Sequence, residues 1–258
     1  MPESVTVAGS SDIGRIRKRN EDALALAPEL GIGIVADGMG GHPGGHVASR
    51  LAADATVRVL GEASADRNGE APFETHFLAA MERAALAAHA DIHARGDEEP
   101  TLRGMGTTLT AMIVDAETGA YVIGHVGDSR AYRFRDGALE QLTRDDTWVQ
   151  QQIDNNVMKP DDARRSPYAH LLTQCVGLEE TPTPQVFAGR GQSGDAYLLC
   201  TDGLVGMLDE SEMNEILREG LAGGDPKASG QATVKRLLDA AVEAGGHDNV
   251  TAALLQIL

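Results

Sequence analysis

Four aspartates stand beside apolar segments and within a few residues of glycine. They are Asp37 after "GIGIVA", Asp128 after "YVIGHVG", Asp202 after "AYLLCT" and Asp248 just before "VTAALLQIL". A single Asp–Gly pair is typical of an ordinary turn at a strand end. The repeated placement is more informative, because strands that share one core bring their ends together. We therefore expect several carboxylates to converge on one rim of the fold.

Convergent carboxylates need counterions. Two carboxylates about 4 Å apart repel each other by roughly 4 kcal/mol at an effective dielectric constant of about 20. Hard divalent cations such as Mg²⁺ and Mn²⁺ prefer oxygen ligands and would relieve this repulsion. Two such ions in one acidic site form a hydrolytic centre. Glu21 and Asp22, which begin the apolar segment "DALALA", are further acids of this kind.

Other kinds of catalytic site lack their sequence patterns. The segment "GMGGHPGG" fails the GxGxxG pattern because Pro43 takes the last glycine position, and no glycine loop continues into GK[ST]. Ser129, in "GDSR", has no GxSxG context. Cys200 lies inside an apolar segment, where a buried and unreactive thiol is expected. The eight histidines are scattered, and no HExxH motif occurs.

The elements that would position the acids are strands and helices. Alternating or continuous apolar runs predict strands, and Asp136-Gly137 predicts a two-residue hairpin turn. The predicted strands cover 4–9, 22–27, 31–36, 107–114, 121–126, 130–143, 196–200 and 250–258. Helical spacing predicts helices over 45–60, 73–95, 209–220 and 226–244, with loops over 61–72 and 96–106. The pattern favours one α+β domain with helices packed outside sheets.

The polar stretch 143–170 interrupts this pattern. It has helix-like composition without a clear apolar face. A solvent-exposed insert and a lid beside a site are equally good interpretations, because long excursions from a compact domain are often functional.

Composition excludes several classes of function. The chain has 258 residues and a formal net charge of −17, which argues against general nucleic-acid binding. No apolar run is long enough to span a bilayer, and the N-terminus does not resemble a signal peptide. The two cysteines, Cys175 and Cys200, form no CxxC pair, which favours a reducing cytoplasm. The one basic run, "RIRKR" at 15–19, is by itself typical of a solvated turn.

Seven motifs occur in the order found in one known family. They are "SDIGRIRKRNED", "VADGMGGHPGGHVAS", "GMGTTLTAMIV", "GHVGDSRAYRFRDG", "LLTQCVG", "LLCTDGL" and "GGHDNVT". From about residue 8 to the end, the chain resembles the metal-dependent type 2C serine/threonine protein phosphatases, and "DGMGGH" resembles their compact bacterial branch. The resemblance implies a four-layer α-β-β-α sandwich. It also implies one catalytic domain over 1–258 and a flap over 143–170. From the chain length we expect no room for a regulatory domain or a membrane anchor.

The resemblance assigns metal-binding roles to the acids. It implies that Asp37 bridges two Mg²⁺ or Mn²⁺ ions and that the carbonyl of Gly38 faces one of them. Glycine there would let the backbone approach the metal. Asp202 and Asp248 match the other direct ligands, and Asp128 with Asp202 matches a third, weaker metal site. The remaining matched residues are Glu21, which would hold a metal-bound water, its neighbour Asp22, and Asn249, which would orient Asp248 from the second shell.

The resemblance also implies how the reaction proceeds. Arg17 matches the arginine that binds the phosphoryl group, a task for which a guanidinium fork is better suited than lysine. A water activated by the metals would attack phosphorus in line, without a covalent phosphoenzyme. Met39 stands where some family members carry a histidine, so the general acid is unassigned. His42 and His170 are the candidates, and for each a structural role has equal weight.

The flap departs from the pattern of the bacterial relatives. Asp145-Asp146 stands where they often have Asp-His, and this change concerns either the flap or the third metal. Trp148, the only tryptophan, is expected to anchor the flap rather than to contact substrate.

The expected activity is hydrolysis of phosphoserine and phosphothreonine in proteins, which would reverse bacterial serine/threonine kinase signalling in the cytoplasm. The expected partners are substrates of such a kinase, the expected state is a monomer, and neither nucleic acid nor a membrane is expected to bind. Two alternatives remain open at this stage. One is a catalytically weak regulator that binds phosphoproteins, and the other is a phosphatase of small phosphate esters.

Overall fold

Two five-stranded antiparallel sheets form the centre of the computed structural model, which describes residues 4–39, 44–69, 71–163 and 165–258. In chain order the strands are β1 (Val5–Asp12), β2 (Asp22–Ala27), β3 (Ile32–Asp37), β4 (Leu109–Val114), β5 (Ala120–Val126), β6 (Arg130–Arg135), β7 (Ala138–Gln141), β8 (Gln185–Arg190), β9 (Ala196–Cys200) and β10 (Val250–Ile257). One sheet has the order β1-β10-β9-β6-β7 and the other β2-β3-β4-β5-β8.

The helices lie between the strands in sequence. They are α1 (Gly45–Ala65), α2 (Phe73–Glu98), α3 (Trp148–Asp154), α4 (Pro160–Ala163), α5 (Asp202–Val205), α6 (Glu210–Gly220) and α7 (Pro226–Glu243). Two of the long helices have side-chain caps at their starts. Asp209 and Glu212 form a capping box at the start of α6, and Asp225 accepts a hydrogen bond from the Ala228 N–H at the start of α7.

Three apolar clusters stack these elements into four layers. One cluster joins α1 and α2 to the β2-β3-β4-β5-β8 sheet, with Phe77 and Ile34 among its members. A second joins the helices α5, α6 and α7 to the other sheet, with Leu237 and Leu254. The third fills the space between the sheets and includes residues from both. The predicted α-β-β-α sandwich is confirmed.

The chain passes from one sheet to the other at four places. Three of them lie at the same end of the sandwich: residues 13–21 after β1, residues 127–129 after β5, and residues 142–184 after β7. The fourth, residues 191–195 between β8 and β9, lies at the opposite end, because β8 runs antiparallel to β5. The first three connections meet the ends of β3, β9 and the start of β10, where the predicted acids stand.

Most predicted elements are present with small shifts at their ends. The Asp136-Gly137 turn is confirmed, with φ angles of 52° and 78° that suit a type I′ hairpin. The loop predictions for 61–72 and 96–106 are wrong in part, because α1 continues to Ala65 and α2 to Glu98. Strand β8 was not predicted at all. The 143–170 insert contains the short helices α3 and α4.

None of the helices within the described ranges combines the length and the hydropathy needed to cross a bilayer.

Candidate active site

A cleft of about 960 Å³ opens at the end of the sandwich where the three connections meet. Six of the predicted site residues line it: Arg17, Asp37, Asp128, His170, Asp202 and Asp248. Its outer wall comes from residues 171–182, which follow the flap. The structure therefore brings the four aspartates together, as their positions at strand ends indicate.

Asp22 and Asp37 form a cross-strand pair at the ends of β2 and β3. Oδ2 of Asp22 accepts hydrogen bonds from Thr201 at 2.9 Å and Thr251 at 2.6 Å. Thr251 belongs to β10 in the other sheet, and Thr201 directly follows β9 of that sheet. Burial and the neighbouring charge of Asp202 raise the pKa of Asp22 to about 7, although the two threonine hydroxyls oppose this. Asp22 thus links the two sheets directly behind the cleft.

The backbone of Asp37 is held by two neighbouring threonines at the start of the β4 segment. Its N–H donates to Thr108 Oγ1 at 2.9 Å, and its carbonyl accepts from Thr107 Oγ1 at 2.8 Å and from the Thr108 N–H at 2.9 Å. Burial and the charges of Asp22 and Asp202 raise the pKa of Asp37 well above its usual range.

Gly38 is required by packing. A Cβ at this position would lie 2.3 Å from the carbonyl oxygen of Gly45 and 2.6 Å from that of Glu21. The Gly38 N–H donates to the same Glu21 carbonyl at 3.1 Å, and Ser49 Oγ donates to it at 2.5 Å. The glycine therefore lets the end of β3 press against the start of α1, a reason that the sequence analysis did not identify.

Asp128, Asp202 and His170 present one ligand atom each within 4.8 Å of one another. His170 Nδ1 lies 3.3 Å from Asp202 Oδ2, and this hydrogen bond raises the pKa of His170. Burial would raise the pKa of Asp202, but hydrogen bonds from His170 and Asp37 outweigh it and lower the pKa. Burial and the Asp202 charge raise the pKa of Asp128 to about 8.

Arg17 and Asp248 form an ion pair at the other side of the cleft, with Nη2 2.6 Å from Oδ2. The hydrogen bond to Asp248 raises the pKa of Arg17, and the charges of Asp37 and Glu21 contribute in the same direction. The carboxylate of Glu21 thus acts on the same guanidinium from the connection that carries Arg17.

Asn249 fixes this connection. Its side chain accepts from the Glu21 N–H at 2.9 Å and donates to the carbonyls of Ile13 at 2.9 Å and Arg19 at 3.1 Å. The Asp248 carboxylate accepts from the Asn249 backbone N–H at 2.8 Å as well as from Arg17. The amide group of Asn249 thus holds the 13–21 connection, and its contact with Asp248 is made through the backbone. Orientation of Asp248 by Asn249 stays a prediction.

Of the two candidate general acids, His42 and His170, the described residues include His170. His42 lies outside the described residues. His170 is in the cleft with 76% of its side chain exposed. Met39, which stands where some relatives carry a histidine, also lines the cleft.

The unoccupied hydrogen-bonding capacity of the acids fits a divalent cation. Oδ1 of Asp202 and Oδ1 of Asp22 are buried, and each lacks a hydrogen-bond partner among the described residues. Such orphaned carboxylate oxygens are rare in native proteins unless an ion or water satisfies them. An all-oxygen donor set with several carboxylates suits Mg²⁺ or Mn²⁺.

Sequence reasoning missed two residues of this region, and it identified a third, Asp146, only as a departure from the bacterial relatives. Thr108 and Ser129 join their hydroxyls at 2.7 Å beside Asp37 and Asp128. Asp146 bonds the backbone of Gly127, next to Asp128. The unusual Asp at 146 was the one available signal, and for the two hydroxyls the sequence offers none.

The two-sheet sandwich with an acidic cleft at one end is an architecture that the chain shares with a family of phosphatases. Residues 14–239 match the model of the protein phosphatase 2C family, and the chain belongs to that family. This confirms the resemblance seen in the sequence motifs.

Two relatives of the chain are named as serine/threonine phosphatases. The chain is 36% identical over 252 residues to the serine/threonine protein phosphatase PstP of Mycobacterium tuberculosis, covering 97% of this chain and 45% of PstP. The chain thus spans about half the length of that relative. It is 33% identical over 249 residues to the serine/threonine phosphatase stp of Listeria monocytogenes, covering 95% of this chain and 93% of the relative.

Solved structures of such phosphatases share the fold. The M. tuberculosis PstP/Ppp structure has a TM-score of 0.83 at 34% identity, covering 98% of both chains. The structure of the PstP catalytic domain with two manganese ions has a TM-score of 0.80 at 33% identity, also covering 98% of both chains.

Proposed function

We propose that the chain hydrolyses phosphoserine and phosphothreonine in proteins, with Mn²⁺ or Mg²⁺ as cofactor. One observation carries this proposal: four aspartates and Arg17 border a single cleft, and an Asp202 oxygen there lacks a partner among the described residues. The combination suits a phosphate ester, because the acids can hold cations and the arginine can bind phosphate. The names of the relatives support the same substrate class.

The acids divide the metal-binding work. In our proposal Asp37, the Gly38 carbonyl, Asp202 and Asp248 hold a binuclear centre, and Asp128 with Asp202 holds a third, weaker ion. Glu21 and Asp22 support the centre from behind. Bound divalent ions would supply a nucleophilic water at neutral pH and offset charge on the phosphoryl oxygens. The manganese pair in the PstP structure supports the number of ions in the core site.

Arg17 binds the phosphoryl group in this proposal. Its guanidinium has five N–H donors, and only Nη2 is bonded to Asp248. The side chain is 40% exposed toward the cleft and solvent. Arg17 can therefore grip two phosphoryl oxygens while it keeps its contact with Asp248.

His170 is the proposed proton donor to the departing serine or threonine oxygen. Its bond to Asp202 raises its pKa, so the ring holds a proton at neutral pH more readily than a free histidine. Its exposure leaves it accessible to a substrate in the cleft. A poor alkoxide leaving group needs such a donor.

The remaining parts of the proposal concern the setting. We assign one catalytic domain, with the flap at 143–170, a monomeric state, and substrates that a serine/threonine kinase phosphorylates. A cytoplasmic location is supported by Cys175 and Cys200, which are both free thiols.

The test is hydrolysis of a phosphothreonine peptide by metal-stripped protein with Mn²⁺ titrated back. Asp37→Asn is the test variant, and Asp239→Asn, an exposed acid on α7 paired with Lys235, is the matched control. We expect activity only when metal is present. Asp37→Asn should lose this activity, and Asp239→Asn should keep it at the wild-type level. Intact Mn²⁺ binding without turnover would favour the phosphoprotein-binding regulator, and turnover of nucleotides or other small esters in preference to phosphopeptides would favour the third function.

A further inference from the structure

The backbone around Asp128 is fixed on both sides by residues to which the metal-binding pattern assigns no role. Asp128 lies in the short connection between β5 and β6, with Gly127 before it and Ser129 after it. We propose that Asp146, at the entrance to the flap, is a positioning residue that sets the place of the Asp128 carboxylate. This inference rests on the proposed function, since it assigns Asp128 to the weaker metal site.

Asp146 satisfies both backbone polar groups of Gly127. The Gly127 N–H donates to Asp146 Oδ2 at 3.0 Å, and the Asp146 N–H donates to the Gly127 carbonyl at 2.7 Å. Gly127 has a φ of 108°, and a Cβ there would lie 2.7 Å from Thr108 Cγ2. Glycine adopts this positive φ without steric cost, and the two bonds to Asp146 fix the conformation directly next to Asp128.

The carboxylate of Asp146 is buried among neutral donors. Its Oδ1 accepts from Gln185 Nε2 at 3.1 Å and from Gln174 Nε2 at 3.4 Å. The residue is 5% exposed and forms no ion pair with a basic side chain among the described residues, although its charge acts on the buried ring of His125. A buried carboxylate without a cation is costly. This cost falls on a residue whose hydrogen bonds fix the backbone next to Asp128.

Asp146 also connects Asp128 to the cleft wall. Its carbonyl accepts from the Thr173 N–H at 2.8 Å, and its side chain bonds Gln174. Thr173 and Gln174 both line the cleft. Asp146 therefore joins the wall that a substrate would touch to the acid that would hold an ion.

A second contact completes the clamp from the other side. Ser129 Oγ lies 2.7 Å from Thr108 Oγ1, which accepts the Asp37 N–H. Asp128 is thus held relative to Asp37 by the hydroxyl pair and relative to the flap by Asp146. This arrangement keeps its carboxylate within 4.8 Å of the ligand atoms of Asp202 and His170.

The neighbouring acid provides a matched control. Asp145 is also buried, but it pairs with Arg130, with Oδ2 2.7 Å from Nη2. Its charge contributes to the raised pKa of Asp128. Asp145→Asn therefore removes a buried negative charge near Asp128 and breaks an ion pair while it leaves the Gly127 contacts in place.

The experiment compares Mn²⁺ binding by calorimetry in full-length wild type, Asp146→Asn and Asp145→Asn, with thermal unfolding of each. In Asp146→Asn the new Nδ2 group is a hydrogen-bond donor, and it must face either the two glutamine donors or the Gly127 N–H. The amide therefore cannot accept all the hydrogen bonds that the carboxylate accepts. We expect Asp146→Asn to weaken the lowest-affinity Mn²⁺ site about ten-fold, the change expected for loss of one charge-assisted bond. Asp145→Asn should unfold at lower temperature yet keep wild-type Mn²⁺ affinity within about two-fold.

A second pair of variants tests whether Asp146 acts through Asp128. In an Asp128→Ala background, Asp146→Asn should cause no further loss of Mn²⁺ affinity, since the two effects share one site. An equal loss in both backgrounds would overturn the proposal, and so would equal Mn²⁺ affinities in Asp146→Asn and Asp145→Asn. A wild-type chain that binds no Mn²⁺ would instead contradict the proposed function itself.

Discussion

Arg17 donates from Nη2 to Oδ2 of Asp248 at 2.6 Å, although the two residues are 231 positions apart in the chain. The contact joins the connection after β1 to the start of β10, and it makes the proposed phosphate-binding cation a direct neighbour of a proposed metal ligand. Both side chains are partly exposed, at 40% and 34%, so the pair contributes at most about 1 kcal/mol to stability. The main effect of this ion pair is therefore to position the Arg17 guanidinium beside Asp248, and its contribution to the free energy of unfolding is small.

This placement predicts a graded response to substitution of Arg17. Arg17→Ala should lower kcat/KM for a phosphothreonine peptide by about 10- to 100-fold, because charge-assisted bonds to phosphate are each worth roughly 1.5–3 kcal/mol. Arg17→Lys should recover only part of this loss, since an ammonium lacks the fork. Steady-state kinetics at saturating Mn²⁺ tests the order, and full activity in Arg17→Ala would contradict it.

The amide of Asn249 should matter to both stability and substrate binding. Asn249→Ala leaves the Glu21 N–H and the carbonyls of Ile13 and Arg19 without their partner. We expect a loss of about 1–3 kcal/mol in the free energy of unfolding. We also expect KM to rise more than kcat falls, because the connection that carries Arg17 loosens.

The control for Asn249→Ala is Val234→Ala in the fully buried face of α7. This cavity variant should lose comparable stability and keep the wild-type KM. Chemical denaturation and steady-state kinetics on both variants separate the two roles. An unchanged KM in Asn249→Ala would show that the amide only stabilises the fold.

Gly203 should be irreplaceable for metal affinity. A Cβ at this position would lie 1.9 Å from the carbonyl oxygen of Asn249, so the start of α5 must touch the start of β10. Gly203→Ala should push Asp202 away from Asp248, lower the unfolding temperature and weaken Mn²⁺ binding. Gly61→Ala, on α1 with its nearest contact at 4.0 Å from a side-chain atom of Leu30, is the control and should bind Mn²⁺ like wild type. Equal Mn²⁺ affinities in the wild type and both variants would contradict the prediction that Gly203 is needed for metal binding.

His89 should make stability dependent on pH. Its Nδ1 accepts the Gly177 N–H at 3.2 Å, and its ring lies 4.5 Å from that of His93. Burial, with a contribution from His93, lowers the pKa of His89 in the folded protein. The unfolded chain then binds more protons than the folded one below about pH 6.5, so stability is complete above that pH and is lost as pH falls through the lowered folded-state pKa.

The measurement for His89 is the unfolding temperature at about pH 7.5 and about pH 5.5. His89→Gln keeps a hydrogen-bond acceptor but cannot be protonated, and it should reduce the difference between the two values. A variant with the same pH response as wild type would assign the effect to other groups.

The sequence was sufficient for the elements whose patterns are local. The ends of β2 and β9 agree with the prediction to the residue, because each is a short apolar run next to polar residues. Strand β8 was not predicted because Gln185–Arg190 is an edge strand that is half-exposed along its length and has few β-branched residues. Helix α2 passes through Gly96 because that glycine packs against the backbone of Arg103, a contact that sequence alone does not reveal.

The residues of the candidate site also fall into those that the sequence could predict and those that it could not. The acids could be predicted because each stands at the end of a recognisable strand. The amide of Asn249 and the contacts of Asp146 could not, since both depend on which distant backbone groups the fold brings within hydrogen-bonding distance. The hydroxyl pair of Thr108 and Ser129 likewise exists only because β4 and the connection after β5 lie side by side.

The distribution of the four connections also bears on how the chain could be engineered. Three of them carry the proposed chemistry, whereas residues 191–195 cross between the sheets at the far end and line no part of the cleft. Gln192 and Ser193 are exposed there, and a Cβ on Gly194 would meet nothing within 4 Å. A reporter or affinity module inserted between Gln192 and Ser193 would therefore sit on the opposite pole from the substrate, and would leave room for large phosphoprotein substrates to dock.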